Sequence, residues 1–201
     1  MTEQSPRRMI VGISGASGAI YGVRLLQLLK REGIETHLIM SRNALVALAA
    51  ETDLKPADVE TLADVLHSNQ NLGATCSSGS FPTMGMVVAP CSVKTMSEIA
   101  TGVTSTLISR AADVVLKERR RLVLMLRETP LHLGHIRAMA SVTEAGAIIY
   151  PPVPAFYARP ASVDDIVEYS LCRMLDLFGF NLEVSGRWTG VAARGRSDAP
   201  G

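Results

Sequence analysis

The sequence predicts an α/β fold in which a doubly wound parallel sheet forms the middle of three layers. Short aliphatic runs alternate with longer segments of helical periodicity along the 201 residues, and this alternation is typical of parallel strands joined by crossover helices. The predicted strands are nearly continuous in aliphatic residues, which indicates burial on both faces. Apolar residues make up 47% of the chain and aromatic residues only 4%, so the core must be mainly aliphatic.

The first elements follow directly from periodicity. An apolar run predicts a buried strand at 9–13, and the leucines of segment 21–31 recur with the spacing of an amphipathic helix. A second strand is expected at 35–40 and a helix at 43–50. The polar stretch that extends to Asn71 has room for another short helix.

The second half of the chain repeats the alternation. A strand at 86–89 is expected to end at Pro90, because proline cannot donate a hydrogen bond to a sheet ladder. The further elements are predicted at 106–119 (helix), 122–126 (strand), 131–144 (helix), 147–150 (strand) and 163–178 (helix).

Composition excludes several classes of protein. Twenty basic residues against 19 acidic ones leave a net charge of +1, which argues against nucleic-acid or membrane-surface binding through bulk charge. No segment approaches the roughly 20 apolar residues of a membrane span. The three cysteines form no C-x-x-C pair, so free thiols and a cytoplasmic location are expected. One domain is expected over residues 1–190, with a disordered tail at 191–201.

The loop after the first strand, Gly-Ile-Ser-Gly-Ala-Ser-Gly at 12–18, is the main candidate for ligand binding. Its glycines permit close backbone approach, and unpaired N–H groups at the start of the following helix suit a phosphate monoester. The alternative is an ordinary tight turn with serine caps. The pattern is neither a P-loop nor G-x-G-x-x-G, and Ser41 and Arg42 stand where a dinucleotide enzyme needs an acidic residue. FMN is therefore favoured over a nicotinamide dinucleotide.

Three further loops are polar beyond what a turn requires. Residues 77–80 offer serine donors or form a flexible surface loop, and residues 90–95 offer a second helix N-terminus or simple capping by Ser92. Residues 127–130 place Arg127 and Glu128 at the same sheet edge, unless they form a solvated turn. Ligands of doubly wound sheets bind at this edge.

Other motifs have simpler explanations than a site. His132 and His135 lack a third ligand, so a metal site is not expected. Asp164 and Asp165 imitate an acidic magnesium motif, but Ser162 three residues before Asp165 predicts a capping box. Cys91 is expected to be a packed side chain, since no histidine is evidently paired with it.

Seven motifs in matching order resemble the UbiX-type flavin prenyltransferases, and the resemblance covers 9–188. They are the 12–18 loop, Glu51-Thr52-Asp53, Ser77-Ser78-Gly79-Ser80, Pro90-Cys91-Ser92, Arg110-Ala111-Ala112-Asp113 with Lys117-Glu118-Arg119-Arg120, Arg127-Glu128-Thr129-Pro130-Leu131, and the 151–157 segment Pro-Pro-Val-Pro-Ala-Phe-Tyr.

The resemblance implies a flavodoxin-like (Rossmann-like) homo-oligomer, typically a dodecamer, that binds FMN between subunits without a metal. It implies transfer of a dimethylallyl group from dimethylallyl monophosphate to N5 and C6 of reduced FMN. The product, prenylated FMN, would serve UbiD-type decarboxylases.

The resemblance also implies a role for individual residues. The expected cofactor-binding residues are Gly15, Ala16, Ser17, Ser41, Ser92, Val93, Lys94, Thr95, Arg110 and Arg127. The expected substrate-binding residues are Lys117, Tyr157, Arg173 and Trp188, and the expected catalytic ones are Ser17, Glu51, Glu128 and Lys117. Glu51 and Glu128 would be the acid/base carboxylates, with Ser17 relaying protons and Lys117 meeting the charge of the departing phosphate.

Two other functions remain open on the sequence. One is an FMN-dependent cysteine decarboxylase of the same broad fold, in which the Lys117, Tyr157 and Arg173 set has no evident purpose. The other is a non-catalytic flavin carrier. In all three cases the phosphate of the flavin is expected at the 12–18 bend.

Overall fold

Six strands form one parallel sheet in the computed structural model, which describes residues 7–184 and 186–187. They are β1 (Arg8–Ile13), β2 (Glu35–Met40), β3 (Val65–Ser68), β4 (Gly85–Cys91), β5 (Arg121–Leu126) and β6 (Ile148–Ile149). Their order is β3-β2-β1-β4-β5-β6, so the winding direction reverses between β1 and β4. Such a switch point opens a crevice at the carboxyl ends of the strands. The predicted α/β class is confirmed.

Seven α-helices in the described residues cover the two faces of the sheet. They are α1 (Ala19–Arg31), α2 (Arg42–Glu51), α3 (Pro56–Glu60), α4 (Val93–Thr101), α5 (Leu107–Lys117), α6 (Leu133–Glu144) and α7 (Val163–Leu175). Alternate residues of β1 enter opposite cores: Val11 packs with side chains of α1 and α7, and Ile10 packs with side chains of α4 and α5. The three-layer arrangement follows from this alternation. None of the helices in the described part has the length and hydropathy of a membrane span.

Two elements differ from the sequence predictions. Strand β3 was not predicted, because its Val-Leu-His-Ser sequence is partly exposed at the sheet edge and carries no continuous apolar run. Strand β4 continues past Pro90, although the strand was expected to end at this residue. The register with β5 shifts between Val88 and Cys91, and a proline is tolerated at such an irregularity.

A pair of histidines, the buried His37 and the half-buried His67, links β2 to the edge strand β3. His37 Nδ1 lies 2.9 Å from His67 Nε2, and His37 Nε2 lies 2.9 Å from Glu35 Oε1. Arg8 Nε donates to the same carboxylate oxygen at 2.9 Å. In the contact between the two rings, one of the two facing nitrogens must accept a hydrogen bond from the other. The contact is therefore lost when both rings are fully protonated, because both nitrogens then carry a hydrogen.

We expect acid to weaken this strand pairing. Burial, and then the charge of His37, lowers the pKa of His67. The unfolded chain therefore takes up this proton first, and stability falls as the pH drops below the ordinary histidine pKa of about 6.5. His67→Gln should remove this part of the decline in Tm between pH 7 and 5. An unchanged pH profile in His67→Gln would contradict the assignment.

Candidate functional site

A cleft of about 470 Å³ lies at the carboxyl edge of the sheet, where the loops after five strands meet. Neighbouring strands lie about 4.8 Å apart, so the loops from β3 to β5 extend over about 19 Å. From one end to the other, the lining loops are 69–70 after β3, 41–43 after β2, 15–17 after β1, 92–95 after β4 and 127–128 after β5. A site of this length suits an elongated ligand.

The fold brings together most of the predicted cofactor residues. The cleft is lined by Gly15, Ala16, Ser17, Ser41, Ser92, Val93, Lys94, Thr95 and Arg127, and also by Glu128. Arg110 was predicted with them, but it lies one turn into α5, outside the lining residues, and pairs with Asp113 at 2.7 Å. A helix residue three positions before an aspartate finds an ion-pair partner on its own helix surface.

The loop after β1 packs tightly against two neighbours. A Cβ atom on Gly15 would lie 2.3 Å from Asn43 Cβ, so only glycine fits beside the start of α2. The Ser14 hydroxyl donates to Pro90 O at 3.0 Å and accepts from Ser92 N at 2.8 Å. Ser14 lies within the predicted ligand-binding loop, but it is 1% exposed and joins the loops on either side of the switch point.

Ser14→Ala should therefore destabilise the protein and weaken flavin binding together. The substitution leaves the Ser92 N–H without its acceptor inside the protein, at a cost of about 1–3 kcal/mol. The measurement is the free energy of unfolding together with flavin affinity. Ser141→Ala is the matched control, because its hydroxyl also donates to a backbone carbonyl, that of Arg137, but on an exposed helix surface. Equal effects of the two variants would contradict the bridging role.

The start of α1 is occupied by a carboxylate of the protein itself. Glu51 Oε2 accepts from Gly18 N at 2.8 Å and from Ala19 N at 2.9 Å. The expectation that these N–H groups are unpaired was wrong, because the end of α2 brings Glu51 to them. The negative charge of the Glu51 carboxylate would repel a second anion at this helix terminus.

The same contacts keep Glu51 ionised. Partial burial alone raises the pKa of this carboxyl. The hydrogen bonds from Gly18 N, Ser17 and Ala19 N together outweigh burial, with help from the charge of Arg127, so the pKa lies below its usual value. A carboxylate in this state accepts protons and cannot serve as an acid at neutral pH. The Ser17 hydroxyl links it to the cleft.

Two other helices direct their N-termini into the cleft. Ser41 caps α2 by accepting from Ala44 N at 3.1 Å, and Ser92 caps α4 by accepting from Thr95 N at 3.3 Å. The capping predicted for Ser92 is confirmed. Each cap uses the third N–H of its helix, so the first two point out of the helix end. Arg42 adds a cationic side chain beside the start of α2.

The predicted substrate residues do not join this cleft within one chain. Tyr157 OH lies 2.8 Å from Tyr169 OH, and the charge of Arg173 acts on the same Tyr169. Lys117 is the last residue of α5 and pairs with Glu118. Because α5 begins beside the cleft and runs back towards the opposite sheet edge, Lys117 is remote from it. Trp188 lies outside the described residues, as does the tail at 191–201.

The motifs with simpler explanations behave as structural features. The Ser162–Asp165 capping box is present, and the rings of His132 and His135 stack 3.6 Å apart. Burial raises the pKa of the Cys91 thiol to about 12, which makes it unreactive. Over residues 7–184 and 186–187, no group of three potential metal ligands is found.

Several lining residues were missed from the sequence. Asn43, Asn69, Gln70, Glu98, Thr106 and Ile108 line the cleft without having been predicted. Asn69 and Gln70 were not predicted because they follow strand β3, which the sequence pattern does not indicate. The signal was the short Val-Leu run before His67, which is too brief to distinguish from a loop.

Comparisons with known proteins agree with this geometry. A family model described as Flavoprotein matches residues 1–174. Flavin prenyltransferase UbiX of Escherichia coli K12 is 57% identical over 188 residues, which cover 92% of this chain and 100% of that protein. The enzyme of the same name from Thauera aromatica is 54% identical over 187 residues, 93% of this chain and 96% of its own. The chain belongs to the UbiX family of flavin prenyltransferases.

Solved structures of UbiX proteins share the fold. A crystal structure of AnUbiX (PadA1) in complex with FMN and dimethylallyl pyrophosphate is 49% identical, covers 94% of this chain and 100% of its own, and superposes with a TM-score of 0.92. A dodecameric FMN-dependent UbiX-like decarboxylase from Escherichia coli O157:H7 is 47% identical, with 91% and 100% coverage and a TM-score of 0.89. The peptidyl-cysteine decarboxylase EpiD is only 13% identical at a TM-score of 0.60, a likeness of fold alone. The UbiX enzymes are thus favoured over the cysteine decarboxylases.

Proposed function

We propose that this UbiX-family enzyme transfers the dimethylallyl group of dimethylallyl monophosphate to reduced FMN, which it holds in the 470 Å³ cleft. The observation that carries the proposal is the convergence of nine predicted cofactor residues on that one cleft. The FMN and dimethylallyl pyrophosphate in the AnUbiX crystal structure support the same two ligand classes.

The N–H groups at the start of α2, together with Arg42, would hold the phosphate of FMN at the β2–β3 end of the cleft. The ring would then occupy the β1–β5 end. The 12–18 bend, where the phosphate was expected, is disfavoured because the Glu51 carboxylate already binds its N–H groups. Ser17, Arg127 and Glu128 would line the position of the flavin ring.

The residues expected near the flavin ring can each be assigned a chemical role. Reduced FMN, when bound, supplies the nucleophilic N5 and the C6 carbon at which a fourth ring closes. Ionised Glu51 holds the Ser17 hydroxyl, and this pair accepts or relays a proton at the ring edge. Glu128 offers a second carboxylate from the loop after β5. Cationic groups must stabilise the phosphate that leaves the allyl carbon.

Two cations, Lys117 and Arg173, and the hydroxyl of Tyr157 are the groups expected to do this, and they come from more than one subunit. Tyr157 and Arg173 lie near Tyr169, and Lys117 lies at the far end of α5, so one chain does not unite all three at its cleft. A second copy of the chain brings the missing members. Exposed Leu133 and Ile136 on α6 offer apolar contact surface for such an assembly. The dodecameric Escherichia coli O157:H7 structure supports a homododecamer.

The product, prenylated FMN, would be released to a UbiD-type decarboxylase. This step rests on the family resemblance. The free and buried state of Cys76, Cys91 and Cys172 supports a reducing, cytoplasmic location.

Mass spectrometry of the extracted flavin tests the proposal. The protein is loaded with FMN, reduced without oxygen, and incubated with dimethylallyl monophosphate or, in parallel, the pyrophosphate. Flavin heavier by one five-carbon unit, formed faster with the monophosphate, is the expected result. Bound FMN of unchanged mass with either donor would indicate a flavin carrier. Faster reaction with the pyrophosphate would overturn the choice of donor.

A further inference from the structure

Asn69 is the first residue after the edge strand β3, and both of its oxygens bind the start of α5. Its backbone carbonyl accepts from Leu107 N at 2.8 Å, and its side-chain Oδ1 accepts from Ile108 N at 3.1 Å. Asn69 is 9% exposed, and the small exposed part lines the cleft. The side chain is therefore held in place by the helix that it caps.

The other polar atom of the Asn69 side chain, Nδ2, has no such partner among the described residues. An amide whose oxygen accepts from a backbone N–H has a defined orientation, so the NH2 group is on the remaining side. In the described part of the chain no group accepts a hydrogen bond from Asn69 Nδ2, and this atom is not enclosed by protein. A nearly buried residue thus presents an unused donor to the cleft.

The start of α5 itself offers little to a ligand. Asn69 binds the N–H groups of Leu107 and Ile108, and the Thr106–Ser109 capping box uses the next one. The positive end of this helix dipole still points at the cleft. Asn69 therefore lies between the start of α5 and the cleft. The N–H groups of the helix are already bound, and the Asn69 NH2 group is the donor that a ligand can reach.

We propose that Asn69 Nδ2 donates a hydrogen bond to the phosphate monoester of the bound mononucleotide, and so helps to select FMN over a flavin without phosphate. This inference rests on the proposed function. The loops after β2 and β3 are neighbours, which places Asn69 beside Ser41 and Arg42.

The distribution of charge favours a phosphate oxygen over a ring atom as the acceptor. Two carboxylates line the cleft, and neither competes at this position. Glu98 is already paired with Lys94 at 2.8 Å, and Glu128 follows β5, at the opposite end of the cleft. A hydrogen bond to an ionised acceptor is also stronger than one to a neutral carbonyl.

Asn69→Asp separates the ligand role from the structural one. The aspartate keeps an oxygen for Ile108 N, and it replaces the NH2 donor with a negatively charged acceptor. Asn71→Asp is the matched control, because Asn71 also accepts a backbone N–H through Oδ1, from Gly73, but is exposed and outside the cleft. Asn69→Ala removes the donor without adding charge.

The experiment measures the Kd values of FMN and of riboflavin for each variant by fluorescence quenching. We expect Asn69→Asp to weaken FMN binding about 100-fold and Asn69→Ala about 10-fold. Riboflavin binding should change by less than about twofold, which corresponds to about 0.4 kcal/mol. Asn71→Asp should bind both ligands as the unaltered protein does. The ratio of the two Kd values is decisive, since a partial loss of folded protein affects both ligands alike.

Two results would overturn the inference. In the first, Asn69→Asp binds FMN as tightly as the unaltered protein. In the second, it loses FMN and riboflavin equally, which would make Asn69 a structural cap or a ring contact. Failure of the proposed function is a distinct result, because it is measured on the unaltered protein, which would then either not bind FMN or return it with unchanged mass.

Discussion

Glu51→Gln is expected to slow prenyl transfer by about 100-fold while FMN stays bound, in line with the usual contribution of a general base. The carboxylate accepts from the Ser17 hydroxyl, and Ser17 lines the cleft; the pKa of Glu51 lies below the usual value. Glutamine has nearly the same shape, and its oxygen can still accept from Gly18 N and Ala19 N. It cannot take up the proton that the carboxylate accepts.

The pH profile distinguishes this role from simple capping. Because the pKa of Glu51 is lowered, the base stays ionised at neutral pH and loses its function only as the pH falls through that pKa. Turnover of the unaltered enzyme should therefore decline in acid, and the residual turnover of Glu51→Gln should lack that limb.

Glu32→Gln provides the control for Glu51→Gln, since Glu32 is exposed at the opposite end of α1. The measurement is the rate at which extracted flavin gains mass, together with the flavin content of each protein. Full turnover by Glu51→Gln would reduce Glu51 to a helix cap.

Gly15→Ala should abolish most flavin binding and lower Tm. The added Cβ would lie 2.3 Å from Asn43 Cβ and 3.3 Å from the Asn43 backbone, so the loop after β1 and the start of α2 must separate. Overpacking of this kind costs about 2 kcal/mol, or about 6 °C in Tm for a chain of this size. Since both loops line the cleft, FMN affinity should fall by at least about 10-fold.

Gly73→Ala is the matched glycine control. Its added Cβ would meet only the Asn71 side-chain oxygen, at 3.4 Å, which is ordinary contact. Thermal unfolding and FMN titration of both variants decide the outcome. Gly15→Ala with unaltered Tm and FMN affinity would show that the two loops separate without cost, contrary to the tight packing described above.

The local pattern of apolar residues was sufficient to predict most of the strands and helices. Strand β2 begins and ends where periodicity predicts, and helices α1, α2 and α5 differ from prediction by one or two residues at their ends. These segments combine strong apolar periodicity with clear boundaries, so their conformation is decided locally. Strand β3 lacks such a pattern and exists because its backbone pairs with β2.

The sequence predicted which loops form the site, but it did not predict which distant residues bind to those loops. Gly15, Ser41 and Ser92 stand in motifs next to strands, and the rule for doubly wound sheets places such loops at one edge. The N–H groups of the 12–18 bend were expected to be unpaired because the residue that binds them, Glu51, is 33 residues from Gly18 along the chain. Arg110, predicted with the cofactor residues, pairs with Asp113 on its own helix and does not line the cleft of a single chain.

The sequence by itself determined the fold class, the family and the group of loops that meet at the carboxyl edge of the sheet. Tertiary structure alone decided that Glu51 occupies the start of α1, that Asn69 presents a free amide donor, and that Ser14 joins the loops on either side of the switch point. The reason is physical. Periodicity and motifs report interactions between residues that are close in the chain, whereas these three placements depend on hydrogen bonds and packing between distant segments.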